Sequence, residues 1–119
     1  MIEGLWIVKF LEPNDPSMDL NGGVVVVESG KIFGGDSGYF YIGSIEPNGS
    51  GIWNSELTIT RHDPGIESVF GDIDQFKLFG PIKREGDDSH GRPRLIAELR
   101  PKESTLQMTA ELIRVADLP

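Results

Sequence analysis

The chain has 119 residues, 8 aromatic per cent, no cysteine and a formal net charge of −8. That length suits one domain, 1–119, with a core large enough to fold without disulfides or metal. Lacking cysteine, it excludes disulfide frameworks, zinc–cysteine sites and thiol catalysis, and it suits a reducing compartment. The negative balance argues against nucleic acid and anionic membrane as partners, since both need positive charge set against phosphate. It leaves a basic protein or a small apolar ligand compatible, although such charge commonly does no more than keep a domain in solution.

Met1 to Trp6 has neither a basic start nor a long apolar run, so it does not read as a secretory signal. The longest apolar run is Val24 to Val27, too short to span a bilayer. A cytoplasmic protein is expected.

Glu3 to Leu11 predicts a first strand, with Trp6, Val8 and Phe10 on one face and Leu5, Ile7 and Leu11 on the other. Two mostly apolar faces suit a barrel strand or an oligomer contact. Glu12 to Ser17, with two prolines, predicts a loop. Gly22 to Ser29 carries the β-branched run of a second strand. A tight turn at Glu28–Lys31 leads to a short third strand, Lys31 to Phe33.

Gly34-Gly35-Asp36-Ser37 predicts a bend, because glycine tolerates the backbone angles and close approaches of a corner. An aromatic strand follows from Gly38 to about Glu46, alternating Tyr39 and Tyr41 against Phe40 and Ile42. Asn48-Gly49 is a strong hairpin signal. Ile52 to Arg61 alternates with a period of two, placing Trp53, Leu57 and Ile59 opposite Glu56, Thr58 and Thr60. Ile66 to Gly71 has room for one helical turn.

Asp74 to Ile82 predicts the next strand. The polar stretch Lys83 to Pro93 predicts a mobile exposed loop. Arg94 to Arg100 and Leu106 to Val115 complete the set, joined by a hairpin at Lys102–Thr105. The last segment is read as strand rather than helix, and its apolar face switches after Leu112, which predicts a bulge or a new packing partner. About eight short strands with almost no helix predict an all-β, up-and-down antiparallel barrel, whose closure removes exposed edges.

Candidate chemistry is sparse. Gly35-Asp36-Ser37-Gly38 matches the nucleophile string of chymotrypsin-like proteases. Both histidines, His62 and His90, follow the serine, and the chain is about half the needed length, so a bend is preferred. His62 with Asp36 or Asp72 is the weakest of the readings, an acid–base pair; more often such a histidine bonds backbone in a turn. Asp72-Ile73-Asp74 opens like a calcium loop, but Lys77 and Lys83 stand where glycine and glutamate are required. No metal site, cofactor site or catalytic constellation emerges. Gly4-Leu5-Trp6, with Arg114 late in the last strand, resembles the plug of lipocalins and related ligand-carrying barrels; a core tryptophan and a surface arginine explain it as well.

The chain resembles the GrlR-like family, negative regulators of type III secretion and their bacterial relatives. The resemblance rests on Gly4-Leu5-Trp6, Gly22 to Val25, Gly30 to Ser37, Tyr39 to Gly43, Arg61-His62, Ser68 to Gly71 and Phe76-x-Leu78. It implies a lipocalin-like barrel, a homodimer and no catalysis. It also implies a protein contact in the loop after the aromatic strand, where the prototype has an acidic stretch. Here that loop is Glu46-Pro47-Asn48-Gly49, which keeps one carboxylate, so Glu46 and Asn48 are the partner-binding candidates. Gly4, Trp6, Gly34, Gly35, Asp36, Tyr39, Tyr41 and His62 are candidates for the barrel interior or its structural motifs. Two functions stand side by side: a non-enzymatic module that binds a basic regulatory protein, and a carrier of a small apolar ligand.

Overall fold

A computed structural model describes residues 2–12, 15–63, 65, 74–102 and 107–119, with side chains for all of these except 12 and 15–21. Eight antiparallel strands follow one another around a closed barrel: β1 (Gly4–Glu12), β2 (Asp15–Glu28), β3 (Lys31–Gly35), β4 (Tyr39–Pro47), β5 (Ile52–Arg61), β6 (Gln75–Asp87), β7 (Pro93–Leu99) and β8 (Met108–Ala116). Each strand pairs with the next, and β1 pairs with β8, so no edge is left open. The all-β up-and-down barrel is therefore the fold.

Period-two alternation sorts the side chains. Trp6 and Val8 of β1, Val25 and Val27 of β2, Tyr39 and Tyr41 of β4, and Leu57 and Ile59 of β5 are buried in the interior. Leu78, Ile82, Leu95, Leu99 and Leu112 fill the other half. Trp6, 1% exposed, closes one region of the core and donates its indole N–H to the Ile2 carbonyl at 2.9 Å.

A narrow barrel needs its sheet to coil sharply, and glycines at inward positions permit it. Gly34 pairs with Val25 and Tyr41 in the interior row. A Cβ there would lie 1.9 Å from the Val24 carbonyl oxygen. Gly80 repeats the arrangement against the Glu98 carbonyl, also at 1.9 Å, and the buried hydroxyl of Ser55 donates to the Gly80 carbonyl at 2.8 Å. The strands cross there backbone against backbone.

Several boundaries differ from those expected. β2 begins at Asp15 rather than Gly22, so Asp15 to Ser17 belong to a strand and not to a loop. Pro16 sits beside the strand's start, where a missing N–H is tolerated. The polar stretch Lys83 to Pro93 is mostly strand: β6 runs on to Asp87, with Lys83 opposite Ile96 and Arg84 opposite Leu95. Its polarity reflects an exposed end of the ladder, whose register shifts between Arg84 and Asp87 before the turn from Asp88 to Arg92. At the expected switch of face after Leu112 the register is unbroken, Leu112 pairing with Val8 and Ile113 with Ile7, and both are buried; the bulge comes farther on. Leu5 pairs with Ala116 and Trp6 with Arg114, which leaves Val115 as the extra residue. The helical turn at 66–71, the Ser68–Gly71 motif, Asp72 and residues 103–105 of the last hairpin lie outside the described residues.

Candidate interaction surface

Among the described residues the interior void is about 20 Å³, ringed by apolar side chains including Phe10, Tyr41, Leu57 and Leu112. That is the space of roughly one water molecule, and the void has no polar lining.

The predicted bend is organised by Asp36. Its Oδ1 accepts the backbone N–H groups of Gly38 (2.9 Å) and Tyr39 (2.8 Å), and its Oδ2 accepts the Tyr41 hydroxyl. Tyr41 is buried, and its ring meets Phe10 edge-on with centroids 5.7 Å apart. Burial first, and then the hydrogen bond to Asp36 and its negative charge, hold the Tyr41 phenol well above its ordinary pKa. Tyr39 packs in the same manner against Phe76.

His62 is brought to Asp36, but not to its carboxylate. The ring Nε2 lies 3.0 Å from the Asp36 backbone oxygen, and the His62 N–H donates to the Gly38 carbonyl at 2.8 Å. The histidine ties the end of β5 to the bend, and Ser37 is exposed. His62 thus braces the turn through backbone groups. Among the described residues no three His, Asp or Glu side chains converge on a possible metal.

Gly4, Trp6 and Arg114 do come together. Gly4 has φ 147°, a conformation suited to glycine, and a Cβ there would lie 2.9 Å from Arg114 Nε. The Arg114 guanidinium crosses this gap to bond the Glu3 carbonyl at 3.0 Å and the Asp117 carboxylate at 2.5 Å. The motif is a clasp between the first and last strands.

Glu46 and Asn48 stand on the exposed β4–β5 hairpin. The Asn48 N–H donates to the Ile52 carbonyl at 2.9 Å, and its side-chain Oδ1 accepts the Ser50 N–H at 3.1 Å.

The outside of the barrel divides in two. Along β5 to β8 its outward positions carry cross-strand ion pairs, Glu56–Lys77 and Glu111–Arg94 among them. Along β1 to β4 two neighbouring rows of them are apolar, between Lys9 on one side and Glu28, Lys31 and Ser44 on the other. One row runs Leu5, Val26, Phe33, Ile42 across four paired strands and ends at Thr58 and Lys77. The row beside it runs Ile7, Val24, Gly35, Phe40 and ends at Thr60. Val24 is 48% exposed, Phe33 40%, Phe40 39% and Ile42 59%. Next to them, Gly22, Gly23 and Gly35 floor a groove of about 470 Å³ between Ile7, Val24, Lys9 and Asp36.

A contiguous apolar patch on a folded surface marks a binding face more often than not. The sequence showed two apolar faces on the first strand alone, and the union of its outer residues with those of β2 to β4 into one patch depends on register. No helix among the described residues is long and apolar enough to cross a membrane. Comparison of the chain with protein-family models and with curated proteins finds no match.

Proposed function

We propose that this protein is a non-enzymatic regulatory barrel that acts by binding protein, in the manner that its resemblance to the GrlR-like regulators implies. It works as a homodimer in the cytoplasm, assembled through the outer face of β1 to β4. The observation that carries this reading is the double row of exposed apolar residues on that face, Phe33 and Ile42 in the first and Val24 and Phe40 in the second.

A two-fold dimer suits such a face, because an isologous contact buries the same patch on both subunits. The face is a sheet without charge along its two central rows, and sheets pack face to face through such rows. The charged side, β5 to β8, then remains in solvent. The net charge of −8 directs the dimer toward a basic protein and away from nucleic acid. Glu46, at the β4–β5 hairpin, is the carboxylate offered to that partner.

The small void among the described residues of the interior favours this reading over a ligand carrier. Pockets for small organic ligands measure about 300–1,000 Å³, against about 20 Å³ here. Native mass spectrometry of the purified protein tests both readings at once. The expected result is a dimer of unmodified chains that becomes monomeric on Ile42→Glu. A monomeric wild type, or an Ile42→Glu variant that stays dimeric, removes the proposed face. A bound mass of a few hundred daltons would instead restore the carrier.

A further inference from the structure

Two Asn-Gly pairs occur in this chain, Asn21-Gly22 and Asn48-Gly49, and the fold treats them differently. Asparagine followed by glycine is chemically labile, because the glycine nitrogen has no side chain beside it to hinder its approach to the asparagine amide. Reaction requires the backbone to leave an extended conformation so that this nitrogen reaches Cγ.

Asn21-Gly22 lies within β2. Gly22 is held opposite Lys9 and Leu20 opposite Phe10, with Asn21 the extra residue of a bulge between two fixed pairs. Asn48-Gly49 lies at the tip of the β4–β5 hairpin, where residues 48–51 are all exposed. Gly49 has φ 87° and Gly51 φ 75°, and a Cβ on either would meet nothing within 4 Å. The two hydrogen bonds of the tip use the Asn48 N–H and the Asn48 Oδ1, and neither engages the Gly49 N–H. The bond from Ser50 N–H to Oδ1 also polarises the side-chain carbonyl toward attack.

We infer that Asn48 is a site of spontaneous deamidation in the folded protein and that it converts ahead of Asn21. The Gly49 nitrogen attacks Asn48 Cγ, forming a C–N bond. The Cγ–Nδ2 bond breaks, and Nδ2 leaves as ammonia with the proton that Gly49 gave up. Water then opens the five-membered imide. Opening at Cγ gives aspartate; opening at the main-chain carbonyl gives isoaspartate, whose backbone runs through the former side chain. Either product places a second carboxylate on the hairpin, two residues from Glu46. The inference stands independently of the dimer and of any partner.

Trypsin separates the two sites, since cleavage after Lys9, Lys31 and Arg61 yields peptides 10–31 and 32–61. Folded protein is held in mildly alkaline buffer at body temperature and sampled over weeks. The expected result is a gain of about one dalton in peptide 32–61, placed at residue 48 by fragmentation and preceding any gain at residue 21. Asn48→Gln, a change confined to an exposed tip, abolishes the early gain. In urea the two sites should convert at similar rates, because the ladder no longer holds Gly22. Equal rates in the folded protein, conversion of Asn21 first, or a gap that persists unchanged in urea would each overturn the assignment.

Discussion

The hydroxyl of Tyr41, pointing into the barrel from β4, donates its proton to the carboxylate of Asp36 at the bend just before that strand. The same carboxylate holds two backbone N–H groups of the bend, so one acidic side chain fixes both the corner and the ring beneath it. Tyr41→Phe removes a hydrogen bond to a charged acceptor and should cost about 1.5–3 kcal/mol of stability. The pH dependence has a definite sign. The folded phenol's pKa lies above the unfolded value of about 10, so the folded state keeps a proton that the unfolded chain releases. This contribution is fully present below about pH 10 and declines as pH rises beyond it. Urea midpoints taken from neutral to strongly alkaline pH should fall less steeply in Tyr41→Phe than in wild type. Parallel curves would show that the phenol does not titrate differently on unfolding.

Gly34→Ala should be among the most damaging single changes. Its added methyl would meet the Val24 carbonyl oxygen at 1.9 Å, and that oxygen belongs to a neighbouring strand that cannot move without its own ladder. A loss of about 3 kcal/mol or more is expected, read as a lowered melting temperature or as insoluble expression. Gly49→Ala, with open space but φ 87°, provides the comparison and should cost about 1 kcal/mol.

Asp88 organises the β6–β7 turn. Its carboxylate accepts the N–H groups of His90 (3.0 Å) and Arg92 (2.8 Å) and the Arg92 Nε (2.8 Å). Loss of hydration alone would raise its pKa, but the Arg92 and His90 bonds outweigh this and bring it below the usual value. A depressed carboxylate stabilises above its unfolded pKa, and that stabilisation is lost as pH falls through the folded value. The protection of the His90 and Arg92 amides, taken relative to their intrinsic exchange rates, should therefore fall at acid pH before the core opens. Asp88→Ala should bring the same loss of protection to neutral pH.

Ser55 is buried, and its hydroxyl serves the sharp crossing at Gly80. Ser55→Ala leaves the Gly80 carbonyl without this donor and should cost about 1–2 kcal/mol. Chemical denaturation of the variant checks it, and an unchanged midpoint would mean that water replaces the hydroxyl.

Much of the barrel was legible because strand periodicity is a local signal. Ile52 to Arg61 alternates so cleanly that its limits coincide with β5, and the aromatic strand differs from β4 by one residue at each end. The charges at 83–93 misled because composition reports exposure, and an exposed end of a ladder looks like a loop; the prolines and charges at 12–17 likewise read as loop although Asp15 to Ser17 are strand. Nothing local to Asp36 announces that its second oxygen meets Tyr41, five residues on. Nor does Phe33 alone reveal that Val26 and Ile42 flank it, since that is settled by the pairing of three strands.

The clasp from Arg114 to Glu3 spans 111 positions of the chain. A ribosome delivers β1 first and β8 last, so β1 must wait for nearly the whole domain before its second neighbour exists. Until then the growing sheet has two raw edges, one of them β1, whose Leu5 to Val8 carry no proline or charge to discourage pairing with another nascent copy. Ring closure is thus a late event with a high loop-closure cost. Slow elongation, which helps many domains by letting early parts settle, would here lengthen the interval in which the open sheet is at risk.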